Sequence, residues 1–195
     1  MRVSQQEKDR SGQRIVASAA RLMRERGIDG ATVGEVMNGA GLTLGGFYRH
    51  FDSKEALVSA AVQGAFDQIL NPREARLQTD DPRAVTADFQ RDYLSDVHVA
   101  DRADGCPIVA LAGELSRGPA TSTSAVTSGV NRMLDLIAAG LEGDPTQRRA
   151  EAARQLAAMV GTVLIARATD SDTAQVVLDA TRLQLPSHEE GKQPR

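Results

Sequence analysis

The stretch from Ala31 to Leu57 constrains this chain more than any other. Thr32 followed by Glu35 is a capping box, which satisfies orphan amides at a helix start. Only about two turns of helix fit before Gly39-Ala40-Gly41, and Gly41 can take the positive φ of a tight turn. Leu42 is the apolar residue that such a turn tucks inward. Thr43 reads as a second N-cap opening a short helix over 44–51. Phe47 and Phe51 lie four apart and share one face, while Leu44, Gly45, Tyr48 and Arg49 point elsewhere. A short helix, a glycine turn and a second helix with glycines and polar groups away from its core face make a helix-turn-helix.

The same residues resemble the TetR/AcrR family of bacterial one-component transcriptional regulators. The resemblance rests on Gly27, Thr32, Val36, Gly41, the run Phe47-Tyr48-Arg49-His50-Phe51 and the run Ser53-Lys54-Glu55-Ala56-Leu57. It covers roughly the first third of the chain. It implies an all-α protein: a DNA-binding head over 1–53, a linking helix over about 53–70, and a helical ligand-binding and dimerisation body over 71–185. The polar tail, 186–195, reads as disordered.

Composition sets bounds on this reading. The 195 residues are long enough for one large or two small domains, and 41% hydrophobic with 25% charged residues is ordinary for a globular chain. No apolar run reaches membrane-spanning length, and the N-terminus lacks a signal-peptide core, so a cytoplasmic location and no membrane partner are expected. The single cysteine, Cys106, permits no intrachain disulfide, and three histidines beside it make a zinc site a poor fit. The net charge of −3 looks wrong for a DNA binder, but residues 1–60 hold nine Lys/Arg against seven Asp/Glu. The small basic excess therefore sits with the helix-turn-helix.

Helical spacing carries the rest. Ile15, Ala19, Leu22 and Met23 mark a first helix over about 9–26, with Arg14, Arg21 and Arg24 outside and Gly27 as its stop. Those arginines read either as a solvated face or, for one near the helix start, as a phosphate contact. Asp52 or Ser53 caps the linking helix, with Ala56, Leu57, Ala60, Ala61 and Gly64 along one side, and Asn71-Pro72 is expected to end it at about Leu70. Pro82 opens a helix to about Val97, and His98–Gly105 reads as a charged loop. Pro107 opens the next helix, with Ile108, Leu111, Ala112 and Leu115 in register, and Gly118-Pro119 closes it. The Ser/Thr-rich segment Thr121–Ser128 reads poorly as helix, ahead of Val130, Met133, Leu134 and Ile137. Two last helices, about 145–168 and 172–184, are apolar on two sides. The first has the stripe Ala153, Leu156, Ala157, Val160 and Leu164, with Ala152, Met159 and Ala166 off it. The second has Ala174, Val177 and Leu178 on one side and Val176, Ala180 and Leu183 on the other. A helix apolar all round wants burial all round, and a second copy of the chain is the simplest cover.

An α-helix fits the major groove and presents its N-terminal side chains to base edges. Gly45 and Gly46 weaken the short helix by about 1 kcal/mol each against alanine. They either allow close packing on a neighbouring helix or let the backbone approach DNA, and the resemblance favours the second. Direct readout then falls to Thr43, Leu44 and Arg49. The resemblance places Tyr48 and His50 at phosphate-contacting positions and adds Thr32 to the DNA-binding set. Read without it, Tyr48 is a half-buried aromatic and His50 a helix-end histidine. Lys54 sits in a first helical turn, where the macrodipole disfavours a cation unless a phosphate is held there.

For an effector pocket, Phe66, Phe89 and Tyr93 are the only aromatics of the body; with Cys106, Met133 and Ile137 they are the candidate lining, which suits an aliphatic cavity. Cys106, between Gly105 and Pro107 near Arg102, reads either as a thiol activated by the helix start and the cation or as small packing. No nucleophile–base pair, carboxylate pair or metal cluster suggests an enzyme or a cofactor. The negative net charge argues against a nonspecific DNA-packaging protein. What the resemblance implies is a homodimeric repressor, released from a palindromic DNA operator by a small molecule, with its two copies joined through the last two helices.

Overall fold

The structure, a computed structural model, describes residues 5–118 and 120–185; the expected tail at 186–195 lies outside them. Every regular element among the described residues is helical. In chain order these are α1 (Gln5–Arg26), α2 (Val33–Gly39), a 3₁₀ helix (Leu44–Arg49), α3 (Lys54–Arg76), α4 (Pro82–Tyr93), α5 (Asp96–Ala100), α6 (Pro107–Leu115), α7 (Ala120–Ala139), α8 (Pro145–Ala166) and α9 (Ser171–Gln184). Among them, no helix is long and apolar enough to cross a membrane. The described residues divide into two compact units, one of 5–68 with 102–129 and the other of 69–101 with 130–185.

The first unit is built on α1. Ile15, Ala19, Ala20 and Met23 are buried at helical spacing, and Gly27 ends the helix with φ +81°, the left-handed conformation that suits a glycine stop. Two close approaches bring other helices to it. Ser18 Oγ donates to the Val36 carbonyl at 2.9 Å, and a side chain at Gly64 would meet Val16 Cγ1 at 2.5 Å. α3 buries Leu57, Val58, Ala61, Val62, Ala65 and Phe66 against this unit's interior. The flat of the Phe66 ring lies where a Gly129 side chain would be, 2.2 Å from its Cβ position.

Arg24 does not face outward as its neighbours Arg14 and Arg21 do. It is 3% exposed, and its guanidinium donates to the carbonyls of Ala20 and Gly105 and to Gln68 Oε1 at 2.9–3.0 Å. Asp104 lies 3.5 Å from it and also pairs with Arg21. A buried cation is tolerable only when acceptors and a counter-charge surround it in this way. At the other end of α6, Glu114 Oε2 accepts the Ile28 amide at 2.9 Å, beside Gly27.

In the second unit, Val85, Phe89 and Tyr93 of α4, Met133, Leu136 and Ile137 of α7 and Met159 and Val163 of α8 are all buried. Polar side chains inside it are matched to partners: Thr86 Oγ1 donates to the Leu136 carbonyl at 2.9 Å, Gln90 to Gln155 at 2.6 Å, and the Thr162 and Thr181 hydroxyls meet at 2.6 Å. α8 buries Ala152, Leu156, Met159, Val163 and Ala166. Of the stripe expected on this helix, only Leu156 is buried within the chain; Ala153, Ala157 and Leu164 stay exposed.

Several boundaries depart from local expectation. α1 is already helical at Gln5, the first described residue, ahead of the expected start at about residue 9. Pro72 lies inside α3, which continues to Arg76. A proline in a helix interior costs about 3 kcal/mol, and the turn beyond it is held from outside. Arg132 makes a two-pronged pair with Glu74 at 2.8 Å and also reaches Asn71, while Arg73 and Arg76 pair with Asp92 and Asp88 of α4. Along the same helix Ala56 is exposed while Leu57 and Ala61 are buried. α4 stops at Tyr93 because the Leu94 carbonyl accepts the Arg182 guanidinium and Ser95 caps a separate short helix through the His98 amide. His98–Ala100 is therefore helix and not loop. Thr121–Ser128, a poor helix by propensity, lies inside continuous α7, where buried Ala125 and the Gly129–Phe66 contact supply what propensity lacks.

Candidate nucleic-acid interface

The capping box at the start of α2 is fully formed. Thr32 Oγ1 accepts the Glu35 amide, Glu35 Oε2 accepts the Thr32 amide at 3.1 Å, and the Thr32 hydroxyl donates to Glu35 Oε2 at 2.7 Å. These bonds, with Arg26 nearby, hold the Glu35 carboxyl below its ordinary range, so it stays ionised. The Thr32 hydroxyl is thus engaged as a cap. Gly41 then turns the chain with φ +69°. The Leu42 amide bonds back to the Met37 carbonyl at 2.9 Å, and Leu42 is half-buried.

Thr43 occupies the position before the next helix, but its side chain makes no capping bond. The helix is also tighter than an α-helix: Gly46 N bonds to Thr43 O and His50 N to Phe47 O, three residues apart. Phe47 is its single buried residue and stacks on Phe51 at 5.9 Å between ring centroids. The opposite side is open. Leu44 is 60% exposed and Tyr48 79% exposed; Thr43, Gly45 and Arg49 are exposed and His50 is half-buried.

The two glycines have no internal reason to be glycine. Neither has a positive φ. A Cβ at Gly45 would meet nothing within 4 Å, and one at Gly46 would touch only the Met37 terminal methyl at 3.6 Å, an ordinary contact. Close packing on the neighbouring helix therefore does not account for them.

Ser53 Oγ accepts the Ala56 amide at 3.1 Å, which settles the cap of α3 on Ser53. Glu55 in the first turn is held below the usual carboxylate range by its own amide and by Ser53. Lys54, half-buried at the first position of α3, has Asp29 4.0 Å from its Nζ. An exposed pair at that distance is weak, so the ammonium is available to a stronger anion.

Residues 15–61 match the bacterial regulatory proteins of the tetR family. Over this stretch the chain is similar to the TetR family. Its head is similar to the HTH-type transcriptional repressor KstR2 of Rhodococcus jostii strain RHA1, 39% identical over 62 residues, which is 31% of this chain and 30% of that protein. It is also similar to the uncharacterized HTH-type transcriptional regulator YvdT of Bacillus subtilis strain 168, 32% identical over 69 residues, 35% of this chain and 36% of that one. The matched stretch is thus about a third of the length of these relatives. Likeness of fold extends further. The reduced form of E. coli NemR superposes with a TM-score of 0.74 over 89% of this chain and 94% of that one, at 20% identity. A TetR regulator from Chloroflexus aurantiacus gives 0.71 over 92% and 93%, at 24% identity.

The effector candidates are all buried, but in different units. Phe66 and Cys106 belong to the first; Phe89, Tyr93, Met133 and Ile137 belong to the second. Phe89 and Tyr93 meet edge to face at 5.7 Å, Tyr93 lies 4.6 Å from His98, and the Arg73 guanidinium lies 5.3 Å from the Phe89 centroid. Burial pushes the His98 imidazole below its usual pKa, against a hydrogen bond from Nδ1 to the Tyr93 carbonyl. Sequence reasoning missed the buried Gln90–Gln155 pair. Its signal was a glutamine one residue after Phe89, on the inward stripe with Thr86. Cys106 has no exposed surface, and the buried Arg24 guanidinium binds the carbonyl of Gly105, the residue before it. Among the described residues no group of three His, Cys, Asp or Glu side chains could hold a metal ion.

Proposed function

We propose that this protein is a cytoplasmic, homodimeric repressor that binds a palindromic operator and is released from it by a small molecule. The observation that carries DNA binding is the open side of the 3₁₀ helix, where Gly45 and Gly46 answer to no internal packing or backbone demand. A helix without side chains at those positions can bring its backbone against base edges, with Thr43, Leu44 and Arg49 left to read them. Leucine offers only apolar contact, for instance to a thymine methyl. Tyr48, His50 and Lys54, with Thr32 at the start of α2, fit phosphate positions on either side of the groove.

A second copy is supported by the outward apolar faces of α8 and α9. Ala153, Ala157 and Leu164 of α8 are exposed, as are Val176, Ala180 and Leu183 of α9, with Leu183 at 87%. Joining two heads this way suits half-sites roughly 34–36 Å apart or a multiple. On this reading the head is 1–53, joined through about 53–70 to the body 71–185. Part of that body, 102–129, belongs to the compact unit that contains the head. An effector is supported by proteins of the same fold, one solved with resorcinol (RolR) and one with isovaleryl coenzyme A and operator DNA (AibR). Of the candidates, Phe89, Tyr93, Met133 and Ile137 share the second unit, and an effector there would occupy an aliphatic site and bias a two-state equilibrium of the heads.

The test is selection of genomic DNA fragments on the purified protein, followed by sequencing. A palindromic consensus is expected; recovery of fragments with no shared sequence would refute operator binding.

A further inference from the structure

We propose that Arg14 is a further phosphate-binding residue, reaching the DNA backbone beside the helix-turn-helix turn at Gly41; this rests on the reading of the protein as a DNA-binding regulator. The arginines of α1 look alike in sequence, but their partners separate them. Arg21 and Arg24 are internal struts, both paired with Asp104. Arg26 pairs with Glu25 and Glu35. Among the described residues no carboxylate is paired with Arg14. Its one hydrogen-bond partner among the described residues is Ser11 Oγ at 3.4 Å, and it is exposed.

Its position relative to the turn gives the free guanidinium a role. Arg14 Nη1 lies 3.8 Å from where a Gly41 side chain would begin. Gly41 is held in the left-handed region, where a side chain is strained, so the turn puts no side chain at this position against the exposed Arg14 guanidinium. Two residues on, Thr43 and Leu44 open the exposed side of the 3₁₀ helix. A group at this flank meets the strand beside the groove rather than the base edges, and a planar guanidinium suits a phosphate. Arg10, also exposed, stands one helical turn earlier on the same face of α1. Two like charges at that spacing repel mildly in the free protein, and a phosphate beside them relieves the repulsion.

The experiment compares full-length wild type, Arg14→Gln and Arg14→Lys by fluorescence anisotropy on a mixed-sequence duplex of about three helical turns, from about 50 to about 200 mM salt. Each phosphate neutralised contributes about 0.9 to the slope of log affinity against log salt. Arg14→Gln is expected to flatten the slope by about that amount, so its affinity falls about 3.5-fold less across this range than wild type. Arg14→Lys is expected to keep the wild-type slope. Thermal unfolding of each variant accompanies the titrations. A wild-type slope in Arg14→Gln overturns the assignment, whether affinity is unchanged or has dropped together with stability. If wild type itself binds no duplex, the DNA-binding reading falls and this assignment with it; normal wild-type binding with an unaltered Arg14→Gln slope removes Arg14 alone.

Discussion

Two substitutions at Gly45 should separate stability from DNA binding. The backbone at Gly45 has no positive φ and a Cβ there would meet nothing within 4 Å, so Gly45→Ala adds no clash and removes unfolded-state freedom. Such a change stabilises by about 0.4–1 kcal/mol. In a protein of this size, that corresponds to a rise in Tm of about 1–4 °C. Gly45→Leu should likewise fold, because the new side chain points into solvent beside exposed Leu44. On DNA the same side chain would stand between the helix backbone and the base edges. Displacing the helix far enough to lose one good base contact costs about 1–3 kcal/mol, roughly a tenfold to hundredfold loss of affinity. Scanning fluorimetry reads the first effect and anisotropy on a selected operator the second. Gly45→Leu binding within about twofold of wild type, a difference of about 0.4 kcal/mol, would refute the close approach. A Gly45→Ala protein that is less stable than wild type would show instead that the glycine serves the fold.

Other consequences follow from the same structure. If the proposed dimer forms through α8 and α9, Leu183→Glu should give monomer, since a carboxylate buried without a partner at an interface costs several kcal/mol; sedimentation that still finds soluble dimer would refute the α8–α9 interface. His98 has a folded pKa lowered chiefly by burial, so its neutral form is the one the fold favours. Its contribution is complete above the unfolded value of about 6.5 and is lost as pH falls from there through the folded pKa. Wild-type Tm should therefore drop between about pH 7 and pH 5 more than that of His98→Gln; equal drops would remove His98 as the cause. Cys106, without exposed surface, should react with a thiol reagent at least about a hundredfold more slowly in the native protein than in denaturant, as an opening cost of about 3 kcal/mol requires. Similar rates in both would show that the segment 102–106 opens freely.

The sequence by itself determined the helix-turn-helix, because its signals are local. A capping box closes within four residues, a left-handed glycine needs only its own missing side chain, and Phe47 with Phe51 sets one face of a single short helix. The same holds for the starts of α4, α6 and α8, where a proline stands at the first helical position. Only tertiary structure decided the rest. Pro72 reads as a stop, yet α3 runs past it because Arg132, Asp88 and Asp92 hold the following turn from other helices. Arg24 reads as surface, yet it is buried because Gly105, eighty-one residues away, turns a carbonyl to it. The side of α8 that faces the chain's own core is Ala152, Met159 and Val163 rather than Ala153, Ala157 and Leu164, a choice a helix apolar on both sides leaves to its neighbours. Propensity and capping act over a few residues, whereas burial and ion pairing depend on what the rest of the chain brings alongside.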